Sequence, residues 1–270
     1  MRFAGKHIVL TGASSGIGEA AALRLAALGA HVCLVARRET ELRRVRDAIA
    51  QAGGEAEIYP ADLSDRDAVG ALARRLLEEQ PRIDVLINNA GRSIRRSVAE
   101  SLDRFHDYTR TMQLNYFAPV QLTLALLPRF YEQGAGHIIN VSSMAALIPT
   151  PRFSAYTASK CALDGFSRTL AAEHVDRGLA VTTINYPLVK TPMTAPTRIY
   201  RYLPQMDRSK AAEWMVEAIA RRPVRMTTYA GRTWGTATAA LPGPSVRATG
   251  RLFRTVGEVL RRRAERDSRD

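Results

Sequence analysis

Through its first 187 residues the chain alternates short apolar runs with amphipathic stretches, and that alternation confines it to βαβ units with parallel strands. His7 to Leu10, His31 to Ala36, Glu55 to Tyr59, Ile83 to Ile87, Gly136 to Val141 and Ala180 to Asn185 are predicted as strands. Between them, Ile17 to Leu28, Glu39 to Ala52, Asp65 to Glu79, Phe105 to Tyr131 and Ala155 to Arg177 carry helical spacing. Runs such as Ile8-Val9-Leu10 and Val85-Leu86-Ile87 are apolar on both faces, as in a parallel sheet covered by helices on each side. The expected fold is α/β, a single doubly wound domain over residues 1–270 with its ligand beyond the carboxyl ends of the strands. Residues 187–208 form a long irregular excursion, expected to act as a substrate loop. A helix near Ser209 to Arg221, a last strand near Val224 to Tyr229 and a tail over 245–270 complete the chain.

Thr11-Gly12-Ala13-Ser14-Ser15-Gly16-Ile17-Gly18 joins the first strand to the first helix. Glycines there let backbone approach a pyrophosphate whose charge the helix N-terminus favours, as in Rossmann-type domains. Gly12, Ser14, Ser15, Gly16, Ile17 and Gly18 are therefore candidate cofactor residues. The second strand ends in Arg37-Arg38, where an Asp or Glu would select NAD. Arg37 is placed to pair with a 2′-phosphate and Arg38 to assist, so NADP(H) is the expected cofactor; the alternative is a solvated arginine pair. Asp62 suits the adenine amino group, and Asn89, Ala90 and Gly91 at the end of the fourth strand admit the adenosine side.

Tyr156-Thr157-Ala158-Ser159-Lys160 sets a phenol and an ammonium four residues apart on one helix face. A free phenol titrates near ~10, and a neighbouring ammonium lowers that value toward the range useful for proton transfer. Ser143, thirteen residues before the tyrosine, can hold a substrate oxygen, and Asn115 can retain a water that relays protons from Lys160.

These segments together resemble the short-chain dehydrogenase/reductase family over residues 5 to 195. The resemblance implies that Asn115, Ser143, Tyr156 and Lys160 form a catalytic tetrad and that Gly12, Gly16 and Gly18 hold the cofactor phosphates. It also implies that Lys160 binds the nicotinamide ribose beside Tyr156, that Pro187 and Thr191 contact the nicotinamide end, and that the chain forms a homodimer or homotetramer. Family members usually have Pro-Gly where this chain has Pro187-Leu188, and leucine resists a positive φ. A closer resemblance, to the reductase domain of bacterial fatty acyl-CoA reductases, lies in Gly91 to Ser97, Arg104 to Asp107, Met112 to Phe117, Pro151 to Tyr156 and Pro187 to Tyr200. It implies reduction of a lipophilic carbonyl, a fatty acyl-CoA or fatty aldehyde, by NADPH. A ketone such as a steroid or 3-oxoacyl group is the alternative substrate, and an NADPH-binding or membrane-associated scaffold is the non-enzymatic alternative.

Composition closes off other classes. The two cysteines, Cys33 and Cys161, are too few for a disulfide scaffold or a cysteine-rich zinc site, so no metal and a reducing, cytoplasmic setting are expected. No run is long and apolar enough to span a bilayer, and the segment before the first strand lacks the apolar stretch and small-residue site of a leader, so none is expected. The net charge of +13 is concentrated late: residues 196–270 hold one Lys and 15 Arg against seven Asp and Glu. With no recognised reading module, nucleic acid is not an expected partner. Leu252, Phe253, Val256, Val259 and Leu260 alternate with Arg247, Arg251, Arg254 and Arg261 to Arg263, a basic amphipathic helix. Such a helix suits an anionic membrane surface, a second subunit or its own domain. Arg92, Arg95 and Arg96 stand near the cofactor cleft, either meeting phosphates of coenzyme A or forming a solvated face.

Overall fold

The computed structural model describes residues 1–266. Seven strands, β1 (His7–Thr11), β2 (His31–Ala36), β3 (Glu55–Pro60), β4 (Val85–Asn88), β5 (Gly136–Ser143), β6 (Leu179–Tyr186) and β7 (Arg225–Thr227), form one sheet in the order β3-β2-β1-β4-β5-β6-β7. Every pairing is parallel. Helices α1 (Gly16–Ala27), α2 (Glu39–Gln51) and α3 (Arg66–Glu79) follow the first three strands. Then come α4 (Phe105–Met112), α5 (Ala118–Glu132), α6 (Ser154–Glu173), α7 (Arg208–Arg221), α8 (Tyr229–Ala240) and α9 (Pro242–Arg266).

Because strand side chains alternate faces, the apolar runs feed two cores. Ile8, Leu10, Val32, Leu34, Ile87, Ile139 and Ile184 pack with α1, α2 and α7 on one face. Val9, Cys33, Val35, Leu86, Ile138 and Val181 pack with α3, α5 and α6 on the other. The order of connection reverses beside β1, so the chain departs to opposite sides of the carboxyl edge there and opens a crevice.

Three segments differ from the sequence expectation. The helix predicted from Phe105 to Tyr131 is interrupted by a π-helical turn over Gln113–Phe117, which the 3.6-residue spacing of its neighbours conceals. The last strand is only three residues, Arg225–Thr227, because Thr228 caps α8 through its hydroxyl and Gly231 N. The C-terminal region holds two helices, and α9 starts at Pro242, before the tail's predicted start. Residues 267–270 of that tail lie outside the described residues, as do the side chains of Leu260 and Arg261 to Arg263. Among the described residues no helix is long and apolar enough to cross a membrane.

Candidate active site

The carboxyl ends of the strands open into one cleft of about 1050 Å³. Gly12, Ser14, Ser15, Gly16, Ile17, Gly18, Arg37, Arg38, Asp62, Asn89, Ala90, Gly91, Pro187 and Thr191 all line it, and so do Ser143, Tyr156 and Lys160. Asn115, also predicted for the site, is fully buried behind that wall.

The first turn is shaped for a phosphate. Gly12 has φ 69°, and a Cβ there would stand 2.9 Å from the Ala90 Cα. A Cβ on Gly18 would fall 2.1 Å from the Gly12 carbonyl oxygen, so only glycine lets α1 seat against the turn. Ser15, the N-cap of α1, makes no side-chain capping bond, which leaves the first helical amides available to an anion at the positive end of the helix dipole. At the far end of the cleft the Arg37 side chain is 72% exposed, with Asp62 3.5 Å away. Asp62 accepts from the Ser64 hydroxyl at 2.6 Å and the Ser64 amide at 3.0 Å. The Ser64 hydroxyl, ahead of the Arg37 charge, holds its carboxyl below the usual range. Arg38 has no ion pair among the described residues. The pattern of a glycine cradle, a free helix terminus and two arginines fits a nicotinamide dinucleotide.

The reactive end lies between β5 and α6. Ser143 closes β5; its hydroxyl accepts from Ala145 N at 3.2 Å, and its carbonyl accepts from Asn185 Nδ2 at 3.1 Å. Tyr156 and Lys160 project from the first turns of α6, with Lys160 Nζ 6.0 Å from the phenol ring centroid. Lys160 is 4% exposed and donates to the Val141 carbonyl at 2.8 Å. Burial pushes its pKa down to about 8. The same burial raises the Tyr156 phenol, the Ser143 hydroxyl opposes that rise, and the nearby Tyr200 adds to it. Both groups are desolvated, and the Ser143 hydroxyl is a neighbour that favours the phenolate.

Asn115 is held by its side chain. Its Nδ2 donates to Arg92 O and to Ser159 Oγ, both at 2.9 Å, and its Oδ1 accepts from Arg92 N at 2.9 Å. Ser159 Oγ in turn donates to the Tyr156 carbonyl at 2.7 Å. A Cβ on Gly91 would sit 3.2 Å from Asn115 Oδ1 and 3.6 Å from Lys160 Nζ. The side-chain amide clamps the Gly91-Arg92 turn to α6, and the π-helical turn carries it there. Asn115 is therefore a positioning residue in this arrangement.

Residues 6–200 match the short chain dehydrogenase family. The chain belongs to that family. It is 53% identical to a fatty acyl-CoA reductase of Acinetobacter baylyi over 228 residues, 84% of this chain and 77% of that protein. It is 51% identical to a fatty acyl-CoA reductase of Mycobacterium tuberculosis, over 82% of this chain and 76% of the relative. A crystal structure of a metagenomic short-chain oxidoreductase in complex with NADP superposes with a TM-score of 0.74 at 32% identity, covering 84% of this chain and 98% of that one. As a short-chain dehydrogenase, the protein is a nicotinamide-dependent oxidoreductase.

Part of the remaining wall of this short-chain dehydrogenase's cleft is apolar. Ile148 and Phe153 form one side, and Leu188, Met193, Ile199, Tyr200 and Leu203 of the excursion form another. Leu188 is absent from the positive-φ residues, so this chain meets the missing glycine with ordinary backbone. Leu188 O and Lys190 N are tied to Met206 N and Met206 O at 2.8 and 2.9 Å, which pins the excursion at both ends. Phe253, Val256 and Gly257 of α9 line the same cleft, while Leu252 and Val259 of that helix are exposed.

Sequence reasoning missed three supports. Thr11 Oγ1 accepts from Asn89 N and Ala90 N, both at 2.9 Å, welding the glycine turn to the Asn-Asn-Ala-Gly turn. Its place just before Gly12 was the available signal. Asn88, Asn140 and Ser167 form a buried chain, Asn88 Nδ2 to Asn140 Oδ1 and Asn140 Nδ2 to Ser167 Oγ, each 2.8 Å. Only the register of β4 on β5 reveals it. Ser159 links the clamp to Tyr156, and nothing in the sequence separated it from helix surface.

Proposed function

We propose that this short-chain dehydrogenase is an NADPH-dependent reductase of a fatty acyl-CoA or fatty aldehyde. One observation carries the reading: Ser143, Tyr156 and Lys160 meet at the junction of a dinucleotide cradle ending in Arg37 and Arg38 with an apolar-walled extension of the same cleft. The names of the two reductase relatives support an acyl thioester over a steroid.

When bound, the reduced dinucleotide supplies a hydride. Ser143 holds the carbonyl oxygen, and the Tyr156 phenol gives it a proton as its negative charge develops. Lys160, partly neutral near pH 8, is placed to restore a proton to the Tyr156 side of the cleft. For a thioester, the carbon–oxygen double bond then re-forms as the carbon–sulfur bond breaks, and the sulfur leaves as a free thiol. The balance is one acyl-CoA, one NADPH and one proton consumed, and one aldehyde, one coenzyme A and one NADP released. Phe117, Leu124 and Tyr131, spaced seven residues apart and all exposed, give α5 and its preceding turn an apolar stripe suited to a homodimer or homotetramer.

NADPH oxidation across acyl-CoAs, long-chain aldehydes and ketones tests the substrate: turnover of hexadecanoyl-CoA or hexadecanal is expected, and turnover of ketones alone overturns the reading. Arg37→Asp tests the cofactor independently. Losing a charge-assisted phosphate contact and adding a repulsive carboxylate should lower the NADPH-to-NADH ratio of kcat/KM by at least about tenfold. An unchanged ratio contradicts the assignment of NADP.

A further inference from the structure

Five arginines stand on or near the turn clamped by Asn115, and they divide into two kinds. Arg96 and Arg104 both converge on the buried Asp107, at 3.4 and 3.0 Å. Arg152 is bound by both oxygens of Glu100, at 2.9 and 2.8 Å. These guanidinium groups are neutralised within the fold. Arg92 and Arg95 have no ion pair and no side-chain hydrogen bond among the described residues, yet both line the cleft.

Their surroundings are electropositive. Arg92 is partly desolvated and feels Arg110 and Arg37 as like charges, with Asp107 and Asp62 as weaker compensation. Arg95 is likewise desolvated and feels Arg152, with only Tyr200 and Glu100 to offset it. Arg92 is half-buried and Arg95 exposed, so both guanidinium groups are accessible to an anion entering the cleft, where the surrounding positive charge favours one. The dinucleotide already has the helix α1 terminus for its pyrophosphate and Arg37-Arg38 for a 2′-phosphate. A second anionic ligand is the remaining candidate.

Placement identifies its class. Arg92, Arg95, Tyr200, Phe153 and Tyr156 all line the same cleft. The free arginines and the reactive phenol thus share that cleft with an apolar wall that includes Tyr200 and Phe153. A ligand using both ends needs an uncharged reactive carbonyl and a polyanionic head group joined by a spacer. We propose that Arg92 and Arg95 form a phosphate-binding rim that holds the nucleotide head of an acyl-CoA thioester. This proposal rests on the acyl-CoA reading above and assigns the residues that would distinguish coenzyme A from a phosphate-free carrier.

The test compares hexadecanoyl-CoA with S-hexadecanoyl-pantetheine, which presents the same thioester without phosphates. The wild-type protein should favour hexadecanoyl-CoA by at least about tenfold in kcat/KM, mainly through KM, and the double variant Arg92→Ala/Arg95→Ala should lose that preference. Raising ionic strength from about 0.05 M to about 0.3 M should erode the wild-type preference and leave the variant unmoved. An undiminished preference in the variant, or an equal loss on both thioesters, overturns the proposal. Calorimetric titration of coenzyme A into NADPH-loaded protein supplies a readout that does not need turnover. A Kd weakened at least about tenfold in the double variant supports the rim even if neither thioester reacts, in which case the acyl-CoA reductase reading fails alone. No binding of coenzyme A to the wild type, or equal binding to both proteins, refutes the rim while leaving aldehyde reduction standing. Unchanged NADPH affinity in the variant serves as the control for folding.

Discussion

Replacing Tyr156 by phenylalanine is expected to lower kcat for carbonyl reduction by about 10²- to 10⁴-fold, the usual worth of a positioned proton donor. The substitution removes one oxygen from a side chain on the rigid first turns of α6, so the fold and the cleft should persist. Single-turnover NADPH oxidation by the variant, with NADPH binding measured alongside, checks this; a rate within fivefold of wild type contradicts a role for the phenol. The pH profile follows from the same environment. Burial keeps Tyr156 above its ordinary pKa, so in the reductive direction it stays the protonated donor throughout the neutral range. Lys160 loses its proton near pH 8, so reduction should decline as pH rises through that value. In the oxidative direction the phenolate is the needed base, and the rate should rise with pH instead.

Lys160→Met is expected to abolish most activity and to stabilise the protein in the same stroke. The Lys160 pKa is about 8 in the fold against 10.5 for the free group. Between those values the unfolded chain binds more protons, so this lysine's contribution to stability improves as pH rises from about 8 toward 10.5 and is at its worst below 8. Methionine has similar length and no charge to desolvate. It forfeits the bond to Val141 O, about 1 kcal/mol, but relieves a burial cost of a few kcal/mol. The net gain at pH 7 should raise Tm by a few degrees, and the difference between the two proteins should shrink above pH 8. A variant that melts lower than wild type at pH 7 contradicts the account of a strained, functional ammonium.

Much of this architecture was legible because its strands are buried on both faces and its turns need glycine. The alternation marks β2 at His31–Ala36, and the glycine spacing marks the tight turn between β1 and α1. The Tyr156–Lys160 interval fixed a common helix face because four residues nearly complete a turn. What escaped the sequence depends on contacts between distant segments. The π-helical turn at Gln113–Phe117 leaves no mark on the apolar spacing, yet it decides that Asn115 clamps Gly91-Arg92 rather than facing the cleft. The ionic state of Arg92 and Arg95 could not be separated from that of Arg96, since only tertiary packing brings Asp107 to one and not to the others. The basic amphipathic tail was recognisable as a helix, but that Phe253 and Val256 of it line the cleft depends on contacts between distant segments.

The central claim is that this cleft moves a hydride from NADPH to the carbonyl carbon of a long-chain acyl group. The direct measurement is a single turnover of enzyme with NADPH deuterated at the transferring position and hexadecanoyl-CoA, followed by mass analysis of the products and titration of free thiol. The account predicts deuterium on C1 of the aldehyde or alcohol, one free thiol per acyl group reduced, and loss of both signals in Tyr156→Phe. Bound NADPH that transfers no deuterium to hexadecanoyl-CoA or hexadecanal would contradict it.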